Sequence, residues 1–155
     1  MSHGITASPG VVLNLLGDDE AKEVIQSWLD VFAKKRLGCR IKDFKWHLFS
    51  GGVYDSEEGD KAIEFYNSHV AEEYLVIDND ESVVFWTHQR PYDVSLSDYY
   101  VCPRNMAWTM AFTHEDGWLG PYFARHPDYE ILEQENLAYI EKLKQIEHAK
   151  KMGWC

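Results

Sequence analysis

The chain has 155 residues, of which 45% are hydrophobic and 14% aromatic, a composition typical of a stably folded protein rather than a disordered one. This length suits one domain, which buries roughly 70% of the surface that its extended chain would expose. The formal charge of −11 has the wrong sign for neutralising nucleic-acid phosphates or binding anionic lipid, so it disfavours both nucleic-acid and membrane partners. It leaves a basic protein partner open.

The cysteines predict no structural or catalytic site. Cys39, Cys102 and Cys155 are far apart and odd in number, so neither a disulfide framework nor a CxxC metal site or redox pair follows from them. Such isolated thiols are typical of a reducing compartment. Because the chain lacks a signal-like start and any run of about 18 apolar residues, we expect a cytoplasmic protein, with residues 1–16 loosely ordered.

Residues 18–36 are predicted to form the first helix, because their apolar side chains recur at helical spacing. Acidic residues at 18–20 and basic residues at 34–36 match the helix dipole, and Gly38 supplies a stop.

The middle of the chain predicts a short strand followed by a short helix. Residues 44–49 read as the strand, which ends at the turn-forming residues 50–52. Ser56 is predicted to cap the helix, whose inner face consists of Ala62, Ile63 and Tyr66.

Two pairs of β-rich segments then follow. Residues 74–77 and 83–87 flank an acidic turn at 78–81, which is the composition of a hairpin. A second pair joins residues 99–102 to residues 106–113. These signals indicate a mainly antiparallel sheet.

The last segment, residues 128–152, predicts a long helix with acidic residues early and lysines late. Its apolar side chains form a stripe wide enough to pack on the sheet or on a partner: Leu132, Tyr139, Leu143 and Ile146, with Leu137 and Ile140 beside them. We therefore expect one α+β domain over residues 1–155, with a sheet of about five strands, an N-terminal helix, a short middle helix and this long C-terminal helix.

The tryptophan strand predicts a core position. Alternation along residues 106–113 places Trp108, Met110 and Phe112 on one face of the sheet. Large rings at this spacing favour plain core, and the alternative is a platform on which a ligand stacks.

The clearest candidate for chemistry is the loop that begins at His114-Glu115-Asp116, directly after that strand. A histidine beside a carboxylate can act as a general base or bind a metal. A metal site needs a further ligand, such as His47, and the sequence has no HExxH or close Cys/His spacing. We therefore predict no metal and no cofactor.

Two neighbouring segments bear on this loop. If residues 44–49 form a strand with Trp46 inside, His47 faces solvent or a groove. Residues 117–122 lack the spacing of a phosphate-binding loop, and they predict a structural turn whose rings, including Tyr122, seal the end of the core.

Several segments together resemble a bacterial family of domains of unknown function. They are Trp-His-Leu-Phe-Ser at 46–50, Lys-Ala-Ile-Glu-Phe-Tyr-Asn at 61–67, Tyr-Tyr-Val-Cys at 99–102, Ala-Trp-Thr at 107–109, Thr-His-Glu at 113–115 and Gly-Pro-Tyr-Phe at 120–123. The resemblance spans about residues 43–123, and the chain departs from the family pattern at Tyr66, Cys102 and Pro103. It implies a small single-domain bacterial protein of the cytosol and supplies no reaction.

Two functional hypotheses remain open. The first is a noncatalytic interaction protein that neutralises a basic partner, as immunity proteins do, because the chain is acidic, rich in aromatic residues and without a recognised catalytic motif. The second is a small hydrolase with His47 or His114 as the base, Glu115 orienting it, and Tyr122 or Arg125 meeting a developing charge. The candidate binding residues are His47, Trp108, His114, Glu115, Tyr122 and Arg125.

Overall fold

A computed structural model of the chain describes residues 6–8, 12, 14–34, 45–81, 83–114 and 120–153. Within these residues the helices are α1 (Asp18–Phe32), α2 (His47–Ser50), α3 (Asp60–Ser68) and α4 (Tyr129–Lys151). The strands are β1 (Ala7–Ser8), β2 (Asn14–Leu15), β3 (Glu57–Glu58), β4 (Tyr74–Asp78), β5 (Val84–Thr87), β6 (Asp93–Val94), β7 (Tyr99–Pro103), β8 (Trp108–Phe112) and β9 (Tyr122–Arg125).

The main sheet confirms the predicted antiparallel α+β architecture, but it has seven strands among the described residues, where about five were predicted. Its strand order is β2-β5-β4-β7-β8-β9-β3, and every neighbouring pair is antiparallel. The five inner strands have four or five residues each, while β2 and β3 at the edges have two. Strands β1 and β6 form a separate pair, so short strands occur within the stretch 1–16 that was expected to be loosely ordered.

Both predicted strand pairs are present. Val76 of β4 lies opposite Phe85 of β5, and Tyr99 of β7 lies opposite Phe112 of β8. Local turn signals were sufficient here because each pair is joined by a short connection.

The sheet is buried on both faces, because α1 and α2 cover one face and α3 covers the other. On the α1 side, Trp28 and Phe32 pack with Leu48 of α2 and with sheet residues such as Tyr100. On the α3 side, a separate cluster includes Ala62 and Tyr66 of α3 with Val76, Trp108, Met110 and Phe123 of the sheet. Trp108 is fully buried, as predicted for a core residue.

The predicted strand at residues 44–49 is wrong. Residues His47–Ser50 form one helical turn, and Trp46 before it has helical backbone angles. The reason is tertiary: the Lys45 amide donates to Asn79 Oδ1 at 2.9 Å and the Trp46 amide donates to the Tyr100 hydroxyl at 2.9 Å. Side chains of the β4–β5 turn and of β7 thus take the N–H groups that a strand would have paired.

Helix boundaries and faces also differ from prediction. Helix α1 ends at Phe32 rather than at residue 36, and residues 35–36 and 38 lie outside the described residues. Gly59, with φ of 69°, precedes α3 in place of the predicted cap at Ser56. Ile63 is 37% exposed, because Ala62 and Tyr66, four residues apart, already define the buried face.

Helix α4 is as long as predicted, but its packing differs. All 23 of its residues are described, and none is buried. Tyr129 and Leu132 in its first turn pack against the core on the α3 side. None of the described helices is both long enough and apolar enough to cross a membrane.

Candidate functional site

The predicted site residues divide between two places in the fold. Tyr122 is buried at the start of β9, His47 is half-buried at the start of α2, and His114 follows β8 with 41% of its side chain exposed. All three surround the ring of Trp46, whose centroid lies 4.7 Å from His47, 6.2 Å from His114 and 6.3 Å from Tyr122. We call these four residues the Trp46 cluster.

Trp108 and Arg125 belong elsewhere. The Trp108 ring stacks on Phe123 on the α3 side of the sheet, with centroids 5.6 Å apart. The Arg125 guanidinium lies 4.4 Å from the centroid of Phe65. Glu115 lies outside the described residues. The cluster therefore unites three of the six candidates.

Asp98, which was not among the predicted site residues, organises the Trp46 cluster. Its carboxylate is 5% exposed and lies 2.9 Å and 3.0 Å, by its two oxygens, from Nδ1 of His114. Asp98 Oδ1 also accepts hydrogen bonds from the His114 amide and the Trp46 indole, each at 3.0 Å. Among the described residues, Asp98 is the carboxylate that orients this histidine, and the predicted Glu115 lies outside them.

The strand register contained the signal for Asp98. Tyr99 pairs with Phe112, so in an antiparallel pair the preceding residue, Asp98, lies opposite Thr113 and next to His114. The strand pair was predicted from the sequence, but the predicted carboxylate, Glu115, lies along the loop, whereas Asp98 lies across the pair.

The Asp98–His114 pair has one chemical property of a catalytic base. The Asp98 carboxylate accepts a hydrogen bond from Nδ1–H, so the neutral imidazole carries its available lone pair on Nε2. Cavities of about 870, 460 and 400 Å³ lie elsewhere on the described surface, and neither Asp98 nor His114 lines any of them. The pair thus has the orientation of a base without an adjoining cavity among these three.

A buried polar network continues from Asp98 and indicates a structural role. Lys45 Nζ donates to the Asn79 carbonyl at 2.7 Å and pairs with Glu81 at 2.8 Å. The Tyr100 hydroxyl donates to Asn79 Oδ1 at 2.6 Å, and burial raises the pKa of this phenol. Asp98 and Asn79 together hold the segment before α2 against the sheet through their hydrogen bonds with Trp46 and Lys45.

Tyr122 closes the inner side of the cluster. It follows the cis peptide Gly120–Pro121, and its ring stacks on Trp46 at an interplanar angle of 16°. Burial, and then the nearby Glu58 carboxylate, raise its pKa to about 12. Tyr122 is itself buried at this place, whereas residues 117–119 of the predicted turn lie outside the described residues. The described residues contain no group of three His, Cys, Asp or Glu side chains that could hold a metal ion.

A second candidate surface lies between α4 and the β7–β8 turn. This acidic groove, about 460 Å³ in volume, is lined by Ala71, Glu72, Glu73, Pro103, Arg104, Asn105, Glu135, Asn136 and Tyr139. Burial, and then the neighbouring Glu73 carboxylate, raise the pKa of Glu72. Arg104 is the one cation among these lining residues, and it is already bonded to Glu73 at 2.9 Å.

Helix α4 forms one wall of the acidic groove and then presents apolar side chains to solvent. The Asn105 amide fixes the helix by donating to the Leu132 carbonyl at 3.1 Å. Tyr139 on the groove wall is 53% exposed, and Ile146 two turns later is 41% exposed.

Comparison with known proteins identifies the family and no activity. No curated protein and no solved structure matches the chain. The family described as "Domain of unknown function (DUF4275)" matches residues 29–123, which include α2, α3 and the Trp46 cluster. Because this match covers more than half of the 155 residues, the chain belongs to that family.

Proposed function

We propose that this protein is a noncatalytic binding protein whose acidic groove receives a basic protein partner. The observation that carries the proposal is the lining of the groove: Glu72, Glu73 and Glu135 are balanced by one arginine. A lysine or arginine from a partner that entered the groove would relieve the repulsion among these carboxylates.

The surroundings of the groove favour a protein over a small cation. Tyr139 supplies an exposed aromatic surface beside the carboxylates, and tyrosine is enriched at the energetic centres of interfaces. The net charge of −11 also steers a basic protein towards this surface. Acidic, noncatalytic binding proteins include immunity proteins, which neutralise basic toxins, and this protein is compared with them only as a member of that broad class.

Affinity capture with matched variants tests the proposal. The groove variant Glu72→Gln/Glu135→Gln removes two groove charges, and the control variant Glu20→Gln/Glu64→Gln removes two exposed charges on α1 and α3. We expect a basic protein to be captured by the wild type and the control but not by the groove variant. Calorimetry on the purified pair should show a dissociation constant raised by about tenfold or more for the groove variant. Equal capture by both variants, or a partner without basic character, would contradict the proposal.

The Asp98–His114 geometry favours a second candidate, a small hydrolase. In this alternative His114 is the base and Asp98 orients it. Arg125 does not serve it, because its guanidinium lies over Phe65 on the α3 side. Purified protein would be tested with chromogenic carboxylic and phosphoric esters, alongside His114→Ala and Asp98→Asn. Hydrolysis that both variants reduce supports this function, and turnover equal to that of buffer removes it for these ester classes.

A further inference from the structure

Charge is divided unevenly along α4. Residues 129–141 contain four glutamates and no lysine or arginine, a net charge of −4. Residues 142–151 contain Lys142, Lys144, Lys150 and Lys151 against Glu147, a net charge of +3. The helix therefore has an acidic half, which borders the acidic groove, and a basic half beyond it.

The apolar side chains of α4 follow the spacing of a helix–helix seam. Leu132, Tyr139 and Ile146 recur every seven residues, and Leu143 lies between them at intervals of four and three. Leu132 packs on the core of its own chain, whereas Tyr139 and Ile146 are largely exposed. The seam thus continues past its own domain towards the basic half.

We infer that two copies of the chain associate through antiparallel α4 helices, so that the basic half of each α4 lies against the acidic half and the acidic groove of the other copy. Antiparallel pairing brings opposite charges together, whereas parallel pairing would oppose like halves. A single two-fold axis places each basic half against the acidic half of the other copy, because every α4 contains one half of each kind. The basic half of α4 therefore has the properties expected of a partner for the acidic groove, because it carries four lysines beside an apolar seam.

This inference rests on the proposed function, since it uses the same groove. It adds a regulatory consequence: in the free protein the groove is covered by the second copy, and a basic partner competes with that copy.

Sedimentation velocity of the full chain at low salt tests the association. We expect a dimer whose fraction rises with protein concentration. Ile146→Asp should raise the dimer dissociation constant by about tenfold or more, because it places a charge in the seam. Leu137→Asp is the matched control: Leu137 is 52% exposed and lies nine residues before Ile146, hence on the opposite side of the helix. Circular dichroism checks that both variants keep their helices.

A charge exchange tests the antiparallel arrangement itself. Glu135→Lys alone and Lys150→Glu alone should each weaken the dimer, and the double variant should restore it. A monomer at every concentration, a dimer indifferent to Ile146→Asp, or the absence of restoration would overturn the inference.

The two proposals fail separately. The Ile146→Asp variant keeps every residue that lines the groove, so it should still capture the basic partner. A wild-type chain that stays monomeric at every concentration but still captures a basic partner through the groove carboxylates overturns the association only. A stable dimer with no partner that depends on the groove carboxylates overturns the proposed function only.

Discussion

Asp98 shows how a single buried carboxylate can be structural and still resemble a catalytic group. It accepts hydrogen bonds from the Trp46 indole and from the amide and ring of His114. The Trp46 indole is buried with it, so the carboxylate satisfies a donor that has no access to water. The geometry that orients a base is here also the geometry that closes one end of the sheet.

Replacing Asp98 should therefore cost more stability than replacing His114. Asp98→Ala leaves the Trp46 and His114 donors without their acceptor, and we expect a loss of about 2–3 kcal/mol in the free energy of unfolding. His114→Ala should cost about 1 kcal/mol, because the ring is partly exposed and Asp98 keeps its other donors. Urea denaturation of the two variants measures both values. A larger loss for His114→Ala would show that the anchor has been assigned to the wrong residue.

Trp108 should behave as core. Its ring is fully buried against Phe123 and Tyr66, so Trp108→Ala should leave a cavity and cost about 3–5 kcal/mol. The indole N–H has no hydrogen-bond partner among the described residues, so Trp108→Phe should be distinctly milder. Thermal and urea denaturation compare the two. Near-wild-type stability of Trp108→Ala would instead favour the ligand-platform interpretation.

At the scale of elements, His69 connects α3 to α4. Its Nδ1 donates to the Phe65 carbonyl at 2.6 Å, and its Nε2 accepts from the Tyr129 hydroxyl at 2.5 Å. Acceptance at Nε2 requires a neutral ring, whereas donation from Nδ1 is possible in either protonation state. Burial lowers the pKa of His69, and the cations Arg125 and Arg90 lower it further, against opposing effects of the Phe65 carbonyl and Glu133.

The hydrogen bonds of His69 predict a loss of folding stability in mild acid. In the unfolded chain His69 binds a proton below about pH 6.5, whereas the folded pKa is lower, so the unfolded state takes up more protons in that interval. The free energy of unfolding should consequently fall as the pH drops below about 6.5. His69→Gln should flatten this slope, and His88→Gln, at an exposed position, should leave it unchanged. Unfolding curves from pH 7.5 to 5.5 measure the slopes, and equal slopes for both variants would refute the role of His69.

Elements differed in how far the sequence predicted them. The β4–β5 and β7–β8 pairs followed from local alternation and turn residues, and the face of Trp108 followed with them. The segment before α2 did not, because Asn79 and Tyr100, distant in sequence, decide its backbone conformation. The candidate site was predicted in part. His114 was identified from the sequence, but identifying Asp98 requires the pairing register of β7 and β8. The acidic groove depends on where α4 lies, which its own periodicity does not specify.

At the scale of the whole molecule, charge acts in opposite directions on folding and on association. The net charge of −11 means that like charges repel one another within one folded chain. Between two chains, the acidic half of one α4 attracts the basic half of the other. Raising the salt concentration from about 50 to about 500 mM should therefore weaken the wild-type dimer and leave the monomeric Ile146→Asp variant equally stable or more stable. Sedimentation and thermal denaturation at both concentrations measure the two effects. A dimer strengthened by salt would indicate an association driven by apolar contact alone.

The shortness of the outer strands has a consequence for how this protein avoids uncontrolled polymerisation. An open sheet ends in unpaired backbone groups that can recruit a strand from a neighbouring molecule and so begin a fibre. Within the described residues both outer strands have two residues, and one of them, β3, consists of Glu57 and Glu58. Edge strands this short, one of which carries two adjacent glutamates, offer few backbone groups with which another strand could pair. Self-recognition is thereby left to a helix, whose pairing closes at two copies instead of propagating.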